Sequence, residues 1–348
     1  MVAGLGSHLA AVVLALGVVL APWSTAAAQQ DYIKPVPILS GGTGFLTGNE
    51  PGRTTFTPIF DPVLLLPLGD RWLVESRAEF SADFHSDNGI RGAVEKELAY
   101  LQLDYIANKY LTLTVGRFLT PFGIYNERLY PVWIRDLQTT PLIFPIGTGS
   151  SDGAMVRGGF EAHPGLDLNY AAYFSTLSNL NKLDSDRLAG FRFGVFLPGP
   201  RLELGASVQH LLQEDRSNAV GVHFEWQPRS LPLDLRGEYA RSPLGSGYWI
   251  ESAYRLSDLP IESELLRRFQ LVGRIQQFYV GATPDAAFAE YGLPESNAEQ
   301  ADLGANYLLN DSLRLVSSCG RQFSPQGDAN IWTVGITYRF ALALGRAN

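Results

Sequence analysis

Apolar and polar residues alternate with a period of two along almost the whole chain after residue 50, and this pattern limits the fold more than any other feature. In Trp72–Phe80, the residues Trp72, Val74, Ser76, Ala78 and Phe80 share one face, and Glu75, Arg77 and Glu79 share the other. Near the C-terminus, Trp332, Val334, Ile336, Tyr338 and Phe340 face one way, with Thr333, Gly335, Thr337 and Arg339 opposite. A period of two is the mark of a strand. Segments of roughly ten residues match a strand tilted across a bilayer. The connectors alternate in length. Leu68-Gly69-Asp70, Ala107-Asn108-Lys109, His163-Pro164-Gly165, Pro198-Gly199-Pro200 and Asn310-Asp311 are tight and carry turn residues. Ala82–Lys96, Leu119–Ser151, Thr176–Arg187 and Tyr279–Glu299 are long. Short turns on one side and long loops on the other describe a membrane barrel.

Fifteen strands can be placed between Thr54–Leu65 and Ala329–Phe340. The first of these precedes a tight turn and so runs inward from the loop side. Even parity then requires one more strand, and Pro35–Phe45 is the stretch available, although its Pro and Gly content is poor for a strand. The expected fold is all-β: a transmembrane antiparallel barrel of about sixteen strands, with fourteen or eighteen left open. Ser257–Arg268 is long for a turn-side connector and has room for a helical turn at Ile261–Leu266.

The N-terminus sets the compartment. Leu9–Ala21 is apolar but too short to span a bilayer, and Ala26-Ala27-Ala28 is a small-residue cleavage motif. Residues 1–28 read as a secretory signal peptide, although His8 rather than Lys or Arg precedes the apolar run. Residues 29–348 read as one barrel domain, bound for the cell outer membrane and in contact with its lipid. Only helices and closed barrels satisfy their backbone in lipid, and no later segment is apolar for long enough to be a helix.

Composition narrows the function. The net charge of −8 argues against nucleic acid as a partner. The single cysteine, Cys319, allows neither an internal disulfide nor a cysteine metal site. The five histidines lack metal-ligand spacing, so no metal and no cofactor is expected. His223 falls on the inward face, but no serine nucleophile is identifiable beside it. The chain reads as a non-enzyme.

One strand face is apolar nearly throughout, as in Phe191, Phe193, Val195 and Leu197, or Val220, Val222, Phe224 and Trp226. The other is charged. Arg77, Arg157, Arg192, Arg236, Arg274, Arg314 and Arg339 fall there, with Glu75, Glu79, Asp104, Glu161, Asp167, Glu203, Glu225, Asp234, Glu238 and Asp302. Charge at that density needs water or a partner of opposite sign. Most of these groups are expected to form a salt-bridge lattice in the wall, and a subset to line a path for charged solutes.

Leu119–Ser151 is the most informative connector. Phe122, Tyr125, Tyr130, Trp133, Leu142, Ile143 and Phe144 need burial, and Pro121, Pro131, Pro141 and Pro145 stiffen the segment. The lumen is the place that could bury it. Glu127, Arg128, Arg135 and Asp136 would then line a constriction.

The run Val115-Gly116-Arg117-Phe118-Leu119-Thr120-Pro121-Phe122-Gly123, followed by a long Trp- and Pro-containing loop, resembles the segment after an early strand in the phosphate-selective porin superfamily. The resemblance implies a sixteen-stranded, homotrimeric diffusion channel with an inward-folded constriction loop. It does not carry phosphate selectivity over, because the lysines are only Lys34, Lys96, Lys109 and Lys182 and the inward acids outnumber the inward arginines. The chain also continues past Phe340 as ALALGRAN, where such barrels commonly finish on a terminal Phe. The function expected is passive diffusion of small hydrophilic or charged solutes. The alternative is a non-conducting barrel that serves as a scaffold or docks a partner.

Overall fold

The computed structural model describes residues 36–50, 53–86, 90–176, 178–180, 183–213, 216–281 and 292–345. The signal peptide expected at 1–28 lies outside them. Sixteen strands form one closed antiparallel cylinder. They are β1 (Ile38–Glu50), β2 (Arg53–Leu68), β3 (Trp72–Ser86), β4 (Ile90–Asn108), β5 (Leu111–Leu119), β6 (Ser150–His163) and β7 (Leu166–Ser175), then β10 (Leu188–Leu197), β11 (Leu202–Leu211), β12 (Asn218–Trp226), β13 (Leu233–Ser242), β14 (Gly245–Arg255), β15 (Phe269–Val280), β16 (Ala298–Leu308), β17 (Leu313–Phe323) and β18 (Ala329–Ala343). A short separate hairpin, β8 (Ser178–Leu180) with β9 (Leu183–Ser185), sits in the connector after β7. No described helix is long and apolar enough to cross a membrane.

Each strand pairs with its neighbour in sequence, and β1 pairs with β18 to close the ring, from Ile38 opposite Ala343 to Asn49 opposite Trp332. The tail past Phe340 therefore extends the closing seam, and Leu344 N donates to Pro37 O at 2.8 Å. Closure leaves no edge strand, which is the condition for strands in hydrocarbon.

The sixteenth strand is where parity required it, but it runs Ile38–Glu50 and not Pro35–Phe45. Its inward glycines have a tertiary reason. A Cβ on Gly42 would stand 2.7 Å from Trp133 Cδ2, and one on Gly44 3.3 Å from Val132 Cγ2. The wall is bare there so that the long loop can lie against it. Three further differences concern connectors. Ala82–Lys96 is not a loop, because β3 and β4 stay paired out to Ser86 and Ile90. On the loop side, the links β1–β2 and β13–β14 are tight, so the short/long alternation is incomplete. In Ser257–Arg268 the expected helical turn is Glu264–Arg267, with Ser263 Oγ capping Leu266 N at 3.4 Å.

The outer surface is apolar. Val222 is 54% exposed and Leu303 70%. Aromatic pairs stand at the turn-side strand ends, Trp72 with Tyr105 (4.6 Å between ring centres) and Phe269 with Tyr307 (5.0 Å). Such rings suit the lipid–water boundary. The largest hydrophobic cluster is inside the cylinder. It joins Phe122, Ile124, Tyr125, Leu129, Ile143 and Ile146 of the long loop to Trp249, Phe278, Ala219 and Ala240 of the wall.

Candidate functional site: a loop folded into a charged lumen

The segment between β5 and β6 leaves the wall at a tied neck. Thr120 N donates to Gly149 O at 2.9 Å, and the buried Asn126 amide donates to Thr120 O and Gly149 O, both at 3.1 Å. Past the neck, a π-helical turn (Tyr125–Leu129) enters the lumen. Glu238 on β13 receives it. Glu238 Oε1 accepts from Ile124 N and from Tyr125 N, the latter at 2.9 Å, and Oε2 accepts from Trp249 Nε1 at 3.1 Å. Gly123 N donates to Ser207 Oγ on β11 at 3.1 Å.

The loop charges meet wall charges of opposite sign. Glu127 bridges Arg192 (2.7 Å) and Arg157 (3.2 Å). Arg128 makes a forked pair with Glu203 (2.7 and 2.9 Å) and reaches Glu225 at 3.2 Å. Asp136 meets Arg236 at 2.7 Å, and Arg236 also holds Glu251 (2.6 Å) and Asp234 (3.3 Å). Forked Arg–carboxylate geometry is the strong form of such pairs. Further along, Arg274 donates to Thr139 O at 2.7 Å, and Arg314 donates to Val132 O at 3.0 Å and Arg135 O at 2.5 Å. Asn306 donates to Asp136 O at 2.9 Å, and Leu142 N donates to Gln276 Oε1 at 2.9 Å. The loop is thus held by β6 and by β10 through β17, and Trp133 and Val132 reach β1.

The residues singled out from sequence separate into two groups. Arg77, Arg192, Arg236 and Arg274 are buried in the wall or under the loop, and serve as anchors more than as lining. Arg128, Arg157, Arg339, Glu75 and Glu225 keep partial or full access to the lumen. Of the loop quartet, Glu127, Arg128 and Asp136 meet the wall as described. Arg135 does not line open space. It is 8% exposed, because its guanidinium turns back onto the loop, to Tyr130 O, to Gln138 O at 3.0 Å and over the Tyr130 ring at 4.8 Å. Arg77 also lies over that ring, at 5.2 Å. Burial pushes the Tyr125 and Tyr130 phenols above their usual value, so both stay protonated across the physiological range.

Glu203, Glu238, Glu251 and Asp302 take part in the site; all but Glu251 were placed on the inward face from the sequence, without a loop partner. The first two receive the loop directly, and the last two hold Arg274 at 3.5 and 3.8 Å. His223 is buried 3.6 Å from Glu203. On the opposite wall, Asp104 accepts from Thr114 (2.5 Å) and Gln102 (3.0 Å), and no described hydrogen bond or ion pair ties Glu75, Gln102 or Asp104 to the loop. On the turn side a cavity of about 630 Å³ lies beside the loop, with Arg128, Asp136, Glu225, Asp234, Arg236 and Arg255 in its lining. No described group of His, Cys, Asp and Glu has the arrangement of a metal site.

A closed sixteen-strand cylinder with an apolar exterior, a charged interior and an inward-folded connector defines the porin-type barrel fold. Solved structures agree at that level. The chain is similar to the outer membrane channel DcaP of Acinetobacter baumannii, with 14% identity over 87% of this chain and 97% of that one, and a TM-score of 0.54. It is similar to Salmonella typhi OmpF in complex with daunomycin (11% identity, 87% and 97% covered, TM-score 0.56). It is also similar to the anion-selective porin from Comamonas acidovorans (10% identity, 88% and 99% covered, TM-score 0.53). No protein-family model matches the sequence, and no curated protein matches it.

Proposed function

We propose that this chain is an outer-membrane porin, a passive diffusion channel for small hydrophilic or charged solutes. The observation that carries the reading is the connector 120–149, folded inside the cylinder and held to a charged wall by Glu127, Arg128, Asp136 and Glu238. A loop so placed narrows the passage without closing the outer wall. Groups that keep access to the lumen, Arg128, Arg157, Glu225 and Arg339, meet the solute. In a narrow passage with low-dielectric walls their field is focused, and it selects by charge. The chain acts as a channel and not as an enzyme. Its assembly as a homotrimer follows from the resemblance to phosphate-selective porins. Selectivity for phosphate itself is the weakest part of that resemblance, given the scarcity of lysine. The name of the Comamonas neighbour makes anions the first class to test.

The test is conductance in a planar lipid bilayer, with the reversal potential measured in a salt gradient. Discrete steps of current are expected. A folded barrel that inserts and carries no current would favour the second reading, a plugged scaffold. One observation supports that reading: the loop forms its own hydrophobic cluster with the wall, in which Ile124, Trp249 and Phe278 are at most 1% exposed.

A further inference from the structure

The outer wall is not uniformly convex. Across β13 to β18 the outward residues Leu235, Ser252, Gly273, Leu303, Cys319 and Trp332 stand opposite one another in successive strand pairs. Three of the six are small, and the wall is sunken around them into an apolar groove of about 740 Å³. Ile250, Ile275 and Ala301 form the next row toward the loop side. Strands spaced about 4.8 Å apart give the row a run of about 24 Å. It starts near the turn end of β13 and finishes near the loop end of β18. A path that climbs the barrel obliquely in this way matches an extended fatty acyl chain, not a globular solute.

The groove has a charge at one end only by its loop-side neighbour. Arg321 lies on β17 one outward level beyond Cys319, opposite Ala301 and Asn330. It is 56% exposed and pairs with the exposed Asp328 at 2.8 Å, over the Phe323 ring at 5.2 Å. An exposed pair of this kind is weak, so an anion can join or displace Asp328 at little cost. Guanidinium is the side chain best suited to phosphate oxygens.

We infer that this groove binds one anionic lipid of the loop-side leaflet, with an acyl chain along Leu235–Trp332 and, at Arg321, a phosphate headgroup that carries no cation of its own. The inference rests on the membrane-spanning reading above. It concerns the outer wall and not the pore, so the two are tested separately. The small side chains leave room: a Cβ on Gly273 would meet nothing nearer than Leu303 Cδ2 at 3.6 Å, so the groove accepts added atoms without moving the wall.

The test uses the full barrel in mixed vesicles and reads quenching of Trp332, isolated by subtracting Trp332→Phe. The quenchers are brominated phosphatidic acid and brominated phosphatidylcholine at equal mole fraction. Phosphatidic acid is expected to quench about threefold more strongly. Arg321→Gln should bring the ratio to about one, and Gly273→Leu, which fills the groove, should lower quenching by both lipids. Trp72 on β3, away from the groove and isolated by Trp72→Phe, should show a ratio near one in every variant. Inorganic phosphate should leave the preference intact, since the acyl chain supplies half of the recognition. A wild-type ratio of one, a ratio unchanged in Arg321→Gln, or loss of the preference to inorganic phosphate would each overturn the inference. A chain that never enters vesicles, seen by its mobility on unboiled gels, overturns the membrane reading with it.

Discussion

Glu238 is the first contact that turns the long loop into the lumen, and its removal has a calculable local effect. In Glu238→Ala, the amides of Ile124 and Tyr125 lose their acceptor, and so does the Trp249 indole. A hydrogen bond to a charged group contributes about 1.5 kcal/mol at the low end. The two amide bonds together give about 3 kcal/mol, and the stranded indole adds to this. At about 1.4 kcal/mol per decade, local opening of the loop start rises on the order of a hundredfold. The rest of the loop keeps its own anchors at Arg192, Arg128, Arg236, Arg274 and Arg314, so the opening is confined to the first turn. Native-state hydrogen exchange reads this directly. The Ile124 and Tyr125 amides should exchange about a hundred times faster, with the β14 amides unchanged and Trp249 emission shifted to the red. Unchanged protection at Ile124 and Tyr125 would show that Glu238 does not hold the loop.

Other outcomes follow from the same geometry. Val222→Arg places a charge on the lipid face and should destabilise the inserted barrel by about 2–4 kcal/mol near the midplane, measured by urea unfolding in vesicles; equal stability would reverse the face assignment of β12. Arg128→Glu puts a third carboxylate beside Glu203 and Glu225, so the reversal potential in a salt gradient should move toward cations; no movement places Arg128 off the solute path. Deleting Tyr125–Pro141 removes the loop's share of the lumen, and single-channel conductance should rise in barrels that still show heat-modifiable mobility.

Much of this was readable from residues alone, for identifiable reasons. Where one strand face meets lipid and the other meets charge, the alternation is forced, and the strands from β5 to β18 carry it. The pattern fades where that contrast is absent. Val94, Lys96 and Leu98 on β4 sit among Glu95, Glu97 and Asp83, so the upper part of the β3–β4 hairpin reads as a loop, while the backbone ladder continues there without help from the side chains. β1 is poor in strand formers because Gly42 and Gly44 answer to Trp133 and Val132, residues distant in sequence; no local propensity reports such a contact. In the site, the need of Phe122, Tyr125 and Phe144 for burial sends the loop inward. Its wall partners are another matter. Glu203, Glu238, Glu251 and Asp302 all fall on the inward face by parity, but which acid meets which loop residue depends on the path of the loop across the lumen. Arg135 shows the same limit, since a guanidinium five residues from a free carbonyl can turn back to its own segment.

The pairing of β1 with β18 has a consequence for how the molecule comes into being. The first strand made, β1, pairs at once with β2 on one side but waits on the other for β18, the last strand of the barrel. Until then both terminal strands carry a row of unpaired amides and carbonyls, and each is an adhesive edge for any other chain nearby. Biogenesis therefore needs a period of guarded incompleteness, in which the polypeptide is complete but its surface is not. Loss of β18 (Ala329–Ala343) would leave a sheet with two open edges, so this strand matters out of proportion to its length.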